Sequence, residues 1–144
     1  MLRIVLDSSV FVSAFLAKTG AAARVLDMAL TDHVHLVVSE MIIAETGKVL
    51  LTYDRIRQRY IYTDDDAQGF CAKLGEAFTL LIGFPPLTGV CRDPNDDMVL
   101  ACALAAQAAY LVTRDKDLLV LQCYEGVAIV SPEAFLALLR VNPH

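Results

Sequence analysis

The stretch Leu2-Arg3-Ile4-Val5-Leu6-Asp7 decides the fold, because it is a mostly apolar run of strand length that stops at an acid. A segment with helical spacing follows it at once. Further strand-like runs at Val34–Val38, Tyr110–Thr113 and Val127–Val130 are also followed by helical patterns. Such alternation is typical of βαβ units on a parallel sheet. The sequence therefore predicts an α/β protein with a mainly parallel sheet, in a single domain covering residues 1–144.

Capping residues mark where the predicted helices begin. Ser39 precedes a helical pattern as an N-cap, and Thr63 with Asp66 has the spacing of a capping box. Asp93 is followed by Pro94, which suits the first position of a helix. The predicted helices are Ser8–Ala17, Ala21–Thr31, Glu40 to about Tyr53, Asp54–Tyr62, Asp64 to about Leu81, Pro94 to about Ala108, Asp117–Gln122 and Pro132–Leu139, and one more short strand is predicted at Leu87–Cys91.

Composition and charge limit the classes of function. The chain has 56% apolar and only 20% charged residues, so it can bury one sizeable core. This apolar excess fits a parallel sheet buried on both faces, and it also fits a surface for a partner or for a homodimer. The net charge of −5 argues against non-specific electrostatic binding of nucleic acid, although bound metal ions can supply a local positive field.

Cysteine spacing and hydropathy bear on the compartment. The four cysteines lie in apolar contexts without C-x-x-C spacing, which indicates reduced thiols rather than a disulfide framework or a zinc site. The longest charge-free stretch, Met98–Thr113, is shorter than the roughly 18 residues that a membrane-spanning helix needs. We expect a soluble, cytoplasmic protein with no membrane partner.

Four acids interrupt apolar patterns, namely Asp7, Glu45, Asp97 and Asp115. Asp7 and Asp115 come just after strand-like runs, at the end where open α/β sheets place their ligand crevice. Clustered carboxylates repel one another unless a cation neutralises them. Hard divalent ions such as Mg²⁺ and Mn²⁺ prefer such oxygen ligands. The set therefore predicts a metal-dependent phosphodiesterase.

Asp97 is the most informative of these acids. On a helix it shares a face with Ala101, Leu104, Ala105 and Ala108, so it continues the stripe expected to pack on the sheet. An acid in a first helical turn is also favoured by the helix dipole. Asp93 and Asp96 already fill that role as N-cap and N3, which favours a functional role for Asp97.

The other acids have structural alternatives. Asp7 is a possible N-cap, but Ser8 or Ser9 would cap equally well. Asp115 and Asp117 are evenly balanced between capping and metal binding. Taken alone, Glu45 is better interpreted as an exposed helix glutamate, so the argument depends on the four acids as a set.

Two arginines are candidate contacts for a phosphate backbone. Arg55 and Arg59 lie one helical turn apart in a predicted helix. A solvated helix face is the more common role of such a pair.

The sequence resembles the PIN-domain family, especially the ribonuclease toxins of toxin–antitoxin pairs. The matching segments are Val5–Val10, Ser39 with Glu45 six positions later, Asp93–Asp97 and Leu111–Leu118, in this order. The resemblance implies a three-layer α/β/α sandwich around the sheet. It also implies a metal site made of Asp7, Glu45, Asp97 and Asp115, with Ser9 and Thr113 in support and Asp117 as an outer member.

The same resemblance implies a reaction and a set of partners. One or two Mg²⁺ or Mn²⁺ ions would bridge the acids and an RNA phosphate, and activated water would attack phosphorus. The products would carry a 5′-phosphate and a 3′-hydroxyl, and a cognate antitoxin protein would restrain the enzyme.

Other interpretations stay open. The chain could be a PIN-like protein-interaction domain without significant nuclease activity, using apolar helices around Val10, Phe11, Phe15 and Met41–Ile43. A phosphoryl-accepting receiver domain fits less well, because Ser131-Pro132 stands where such domains have Lys-Pro. The haloacid-dehalogenase type also fits less well, because Ser9 stands where it has a second Asp.

Overall fold

The computed structural model describes residues 1–141, and at its centre is a six-stranded sheet. The strands are β1 Arg3–Leu6, β2 His35–Ser39, β3 Thr79–Leu81, β4 Tyr110–Val112, β5 Cys123–Tyr124 and β6 Val127–Val130. They are ordered β3-β2-β1-β4-β6-β5, and all neighbours are parallel except β5, which pairs antiparallel with β6. Val5 of the central strand β1 is in register with Val37 of β2 and Leu111 of β4.

Eight helices connect these strands within residues 1–141. They are α1 Ser8–Leu16, α2 Ala21–Leu30, α3 Glu40–Thr52, α4 Asp54–Arg59, α5 Asp64–Ala77, α6 Pro94–Ala105, α7 Lys116–Leu119 and α8 Pro132–Val141. The last three residues of the predicted domain, 142–144, lie outside the described residues.

The helices form two layers because of the order of the strands. The chain moves from β1 to β3 towards one edge of the sheet, and then from β4 to β6 towards the other. Since crossovers between parallel strands are right-handed, α1 to α5 cover one face, and α6 and α7 cover the opposite face. α8 packs on α2 and so joins the first layer. The predicted three-layer α/β/α sandwich is confirmed.

The core fixes the position of the central strands. Ile4, Val5 and Leu6 have no exposed surface, as expected for a parallel strand covered on both faces. Val10 and Phe11 of α1 are also fully buried. The hypothesis of a partner surface around these two residues is therefore wrong, because both belong to the core.

The predicted capping residues occupy their expected positions. The Ile42 N–H donates to Ser39 Oγ at 3.2 Å, at the start of α3. Thr63 and Asp66 form both hydrogen bonds of a capping box at the start of α5. Each cap satisfies backbone groups that the first helical turn leaves without partners.

Two local predictions are wrong, and one local feature was missed. The helix predicted to reach Leu81 ends at Ala77, because Thr79–Leu81 pair with β2 as an edge strand. The segment Leu87–Cys91 is not a strand, and its last N–H donates to a carboxylate of α6 instead. The β5–β6 hairpin was not predicted, and its two turn residues, Glu125 and Gly126, have φ values of 45° and 88°.

Two further properties of residues 1–141 concern the length of the helices and the state of the cysteine thiols. Within residues 1–141 no single helix is long and apolar enough to cross a membrane, and α1 and α2 reach that length only jointly, across a bend of 100°. All four cysteines carry free thiols.

Candidate functional site

The candidate site lies between the carboxyl ends of β1 and β4. The chain leaves β1 towards one sheet edge and returns through β4 towards the other, so the strand order reverses here. Open α/β sheets form their ligand crevice at such a reversal. The Thr113 hydroxyl, just after β4, donates to Oδ2 of Asp7, just after β1, at 2.5 Å. The two strand ends are therefore joined directly.

Asp7 is buried and serves two purposes at once. Its Oδ1 accepts the Val10 N–H at 3.3 Å as the N-cap of α1, and it also accepts the Ser9 hydroxyl at 2.5 Å. Capping and site membership are therefore not alternatives for this residue. The pKa of Asp7 is raised, mainly because the carboxylate is buried. Hydrogen bonds from Ser9, Thr113 and Val10 lower the pKa in part, and the negative charge of Asp115 raises it further.

Asp115 combines the same two roles at the start of α7. Its Oδ1 accepts the Asp117 N–H at 2.9 Å, and its own N–H donates to Thr113 Oγ1 at 2.9 Å. The neighbouring Asp117 accepts from the guanidinium of Arg92 at 2.8 Å. Thr113 thus positions Asp7 and Asp115 through one hydroxyl group.

Asp96 is the site acid that sequence reasoning assigned only to the helix dipole. The side chain is buried, and its Oδ2 has no hydrogen-bond partner. Burial, and next the negative charge of Asp115, raise the pKa of Asp96 to about 7. Asp96, Asp115 and Asp117 each offer one carboxylate oxygen, and these oxygens all lie within 4.8 Å of one another.

The structure corrects the placement of Asp97. This residue does not line the acid cavity, and its Oδ1 accepts the Cys91 N–H at 2.7 Å. Successive residues on a helix differ by about 100° in direction, so Asp96 and Asp97 point to different neighbours. Asp97 therefore fastens the loop before α6.

A different stripe along α6 contained the signal for Asp96. The residues four and seven positions after it, Leu100 and Ala103, are fully buried. In contrast, Ala105 in the stripe predicted for Asp97 is exposed. Because α6 carries apolar residues on both stripes, the sequence alone did not show which acid lines the cavity.

Glu45 reaches the site from α3. It is half-buried and lines a cavity of about 160 Å³ together with Asp7, Asp96 and Asp115. The other lining residues are Ser8, Ser9, Ser39, Met41, Ile42, Asp93, Asn95, Met98 and Val99. Of the four acids predicted from the sequence, the structure brings three to one cavity and places the fourth, Asp97, outside it.

The predicted phosphate contacts lie away from this cavity. Arg55 and Arg59 are on α4, and neither lines the cavity. The guanidinium of Arg59 lies over the ring of Tyr60, 5.7 Å from its centroid. Two other arginines contact the site. The guanidinium of Arg92 pairs with Asp117, and the backbone N–H of Arg114 donates to Ser9 Oγ at 3.0 Å, while the Arg114 guanidinium pairs with Glu133.

The donor set fits a hard divalent cation. In an octahedral Mg²⁺ site with bonds of about 2.0–2.1 Å, ligand oxygens lie at most about 4.2 Å apart. The oxygens of Asp96, Asp115 and Asp117 are within 4.8 Å of one another, so small side-chain movements would close the site. The unpartnered Oδ2 of Asp96 is a buried acceptor, and such groups normally have a partner. These acids could hold Mg²⁺ or Mn²⁺.

Comparisons with known proteins give a family and a fold. The sequence model of the PIN domain matches residues 3–117. PAE2754 from Pyrobaculum aerophilum is similar in structure, with a TM-score of 0.63 and 22% identity over 98% of this chain and 91% of that chain. VapBC2 from Rickettsia felis, bound to a DNA fragment from their promoter, gives a TM-score of 0.57 and 14% identity over 89% of this chain and 97% of that chain. A search of curated proteins finds no significant match.

Proposed function

This chain belongs to the PIN domain family, and from that membership we propose that it is a metal-dependent endoribonuclease and the toxin of a toxin–antitoxin pair. PIN domains are generally nucleases, which hydrolyse phosphodiester bonds. The structural likeness to VapBC2 supports the more specific assignment to a toxin.

The observation that carries this proposal is the buried, unpartnered Oδ2 of Asp96 inside a cluster of acids. Leaving a buried polar atom without a partner costs about 1–3 kcal/mol, and mutual repulsion of carboxylates adds to that cost. A fold selected for stability alone would not gather these groups. A cation bound between them would satisfy the oxygen and offset the repulsion.

The chain's own residues would organise the reaction. Ser9 and Thr113 hold the carboxylate of Asp7 in one orientation, so this ligand is preorganised. Glu45 enters the cavity from another helix and can orient the attacking water. When bound, Mg²⁺ or Mn²⁺ would supply Lewis-acid polarisation of the phosphate and lower the pKa of a bound water.

Cleavage of total RNA tests this function. The purified protein, with Mn²⁺ or Mg²⁺, should produce fragments with 5′-phosphate and 3′-hydroxyl ends, and EDTA should stop the reaction. Asp7→Asn and Asp96→Asn should reduce the rate by at least about a hundredfold, the usual scale for losing a group that stabilises the transition state. Asp27→Asn is a matched control, because Asp27 is an exposed acid on α2, outside the acid cavity.

Two results would reject the nuclease. One is that wild-type protein leaves RNA intact in the presence of Mn²⁺ and also in the presence of Mg²⁺. The other is that Asp7→Asn and Asp96→Asn both cut at the wild-type rate, because the activity would then come from a contaminant or another site. In the first case, the PIN-like interaction domain without nuclease activity becomes the better account.

We also propose that a cognate antitoxin covers a partly apolar surface formed by α1, α5 and the connection between α4 and α5. Ile61 is fully exposed, beside a cavity of about 620 Å³ whose wall includes Phe15, Tyr62 and Phe70. Lys18, Asp65, Asp66 and Lys73 also line this cavity. Exposed apolar side chains with charged residues around them are typical of a protein-binding site.

Co-expression tests the partner. The product of a small open reading frame beside the gene should co-purify with wild-type protein and suppress RNA cleavage. Ile61→Asp should weaken this association without changing cleavage by the isolated protein. The molar mass of the isolated protein in solution, measured by light scattering, reports whether the same surface forms a homodimer.

A further inference from the structure

A second cavity, of about 240 Å³, adjoins the acid cavity. Ser39, Met41 and Met98 line both of them, so the two spaces are separated only by shared side chains. The remaining walls of the second cavity are Glu40, Leu81, Ile82, Gly83, Phe84, Pro86 and Ala101. We call this space the Phe84 groove.

The chemistry of the Phe84 groove differs from that of the acid cavity. Apolar side chains make most of its walls, and Glu40 is the one charged side chain among the described residues that line it. A phosphate would meet a carboxylate and no cation here, so the groove disfavours an anion. A neutral and mostly apolar group fits these walls.

The backbone turn after β3 builds the groove. Gly83 has a φ of 67°, a conformation that side-chain-bearing residues rarely adopt, and this turn brings Ile82 and Phe84 to the same space. Ile82 is 68% exposed and Met41 is 48% exposed, so both leave apolar surface in contact with water. Burial of that surface by a ligand would be favourable.

We infer that the Phe84 groove binds one unpaired nucleobase of the RNA, next to the phosphodiester bond held at the acids. This inference rests on the proposed nuclease function. A base is attached through its ribose to the phosphate beside it, so a phosphate at the acids places a neighbouring base at the adjoining space. Single-stranded RNA is commonly recognised by stacking of unpaired bases on aromatic side chains.

Two properties of the substrate follow. The base must leave its stack to enter the groove, so the cut nucleotide lies in a single strand, a loop or a bulge. Stacking tolerates any base because every base has an aromatic face, so the apolar walls alone give weak sequence preference.

The test uses one short RNA with a single cleavage site, in four forms. One is intact, two carry an abasic ribose on the 5′ or on the 3′ side of the scissile bond, and one is annealed to its complement. Wild-type protein should cut the intact strand. Removing the base on one side should lower kcat/KM at least about fivefold, the lower end of what stacking on an aromatic side chain contributes. The annealed RNA should be cut more slowly still.

Variants connect this loss to the groove. Phe84→Leu removes the aromatic face, whereas Phe84→Tyr keeps it. The ratio of kcat/KM for intact RNA to kcat/KM for abasic RNA should therefore fall to near one in Phe84→Leu and stay at the wild-type value in Phe84→Tyr. Because Phe84 is half-buried and packs on the core, Ile82→Ser provides a second variant at a mostly exposed position. Leu30→Ser is the control, since Leu30 is an exposed apolar residue that does not line the groove.

Failure of the inference is distinguishable from failure of the nuclease. If wild-type protein cuts intact and abasic RNA at equal rates, the groove holds no base, although the nuclease assignment stands. Equal ratios for wild type, Phe84→Leu and Ile82→Ser would likewise overturn the inference, because the base would then bind elsewhere. If no form of the RNA is cut, the nuclease assignment fails and the inference fails with it.

Discussion

The hydroxyl of Thr113 donates a hydrogen bond to Oδ2 of Asp7 across 106 residues of sequence, and the oxygen of that hydroxyl, Thr113 Oγ1, accepts the backbone N–H of Asp115. One buried side chain therefore links the ends of β1 and β4 and orients an acid on each side. The site is built into the middle of the sheet, where strand pairing and core packing hold it, and does not depend on a mobile loop.

Replacing Thr113 with valine keeps the shape of the side chain and removes the hydroxyl. Thr113→Val should lower the free energy of unfolding by about 1.5–3 kcal/mol, because Asp7 loses a donor and the N–H of Asp115 loses its acceptor. Denaturation by urea measures this loss. Thr113→Ser keeps the hydroxyl and should lose only about 1 kcal/mol from the missing methyl group. Equal losses in the two variants would contradict the role given to the hydroxyl.

Asp97 and Asp96 should respond differently to substitution. Asp97→Ala removes the acceptor of the Cys91 N–H and should destabilise the fold by about 1–3 kcal/mol, while Mn²⁺ affinity stays near the wild-type value. Urea denaturation and Mn²⁺ titration of the same sample measure both quantities. Loss of Mn²⁺ binding in Asp97→Ala at unchanged stability would show that the sequence-based assignment of Asp97 was right after all.

The raised pKa of Asp96 makes stability depend on pH in the metal-free protein. Its folded-state pKa of about 7 lies above its ordinary value of 3.8, so between about pH 4 and pH 7 the folded protein binds more protons than the unfolded chain. The free energy of unfolding contributed by this group therefore falls as pH rises through that window and levels off above it. Asp7, whose pKa is also raised, contributes with the same sign.

Comparison with Asp96→Asn isolates this effect. Unfolding by urea in EDTA, from pH 4 to pH 8, should show the variant gaining stability relative to wild type as pH rises, since asparagine carries no titrating charge. Groups remote from Asp96 titrate equally in both proteins and cancel in the difference. A stability difference that does not change with pH would mean that Asp96 titrates near its ordinary value.

Local signals in the sequence were sufficient for most of the fold. Apolar runs of strand length located four of the five parallel strands, β1, β2, β4 and β6, and caps such as Ser39 and the Thr63 capping box fixed the helix starts. Each of these features acts within a few residues, so it can be recognised without knowing the tertiary structure. Asp7, Glu45 and Asp115 were predicted for a similar reason, because each interrupts a local apolar pattern, and the structure places all three at one cavity.

The errors have a common physical cause, which is competition from tertiary contacts. Residues 79–81 continue a helical pattern but pair with β2 at the sheet edge. Asp96 and Asp97 are adjacent on a helix with apolar residues on two stripes, and only the packed structure decides which stripe points to the site. For Asp7 and Asp115 capping and a place in the site are not alternatives, since each residue caps a helix and also lines the acid cavity.

The most direct test of the metal site is calorimetric titration with Mn²⁺ at pH 7, in two buffers that differ in ionisation enthalpy. We predict saturable binding to wild-type protein with release of protons, because Asp96 is partly protonated at this pH and must ionise to bind the metal. Asp96→Asn should bind at least about tenfold more weakly, with less proton release. Equal affinity and equal proton release in the two proteins would contradict the metal site, and with it the catalytic role of the acids.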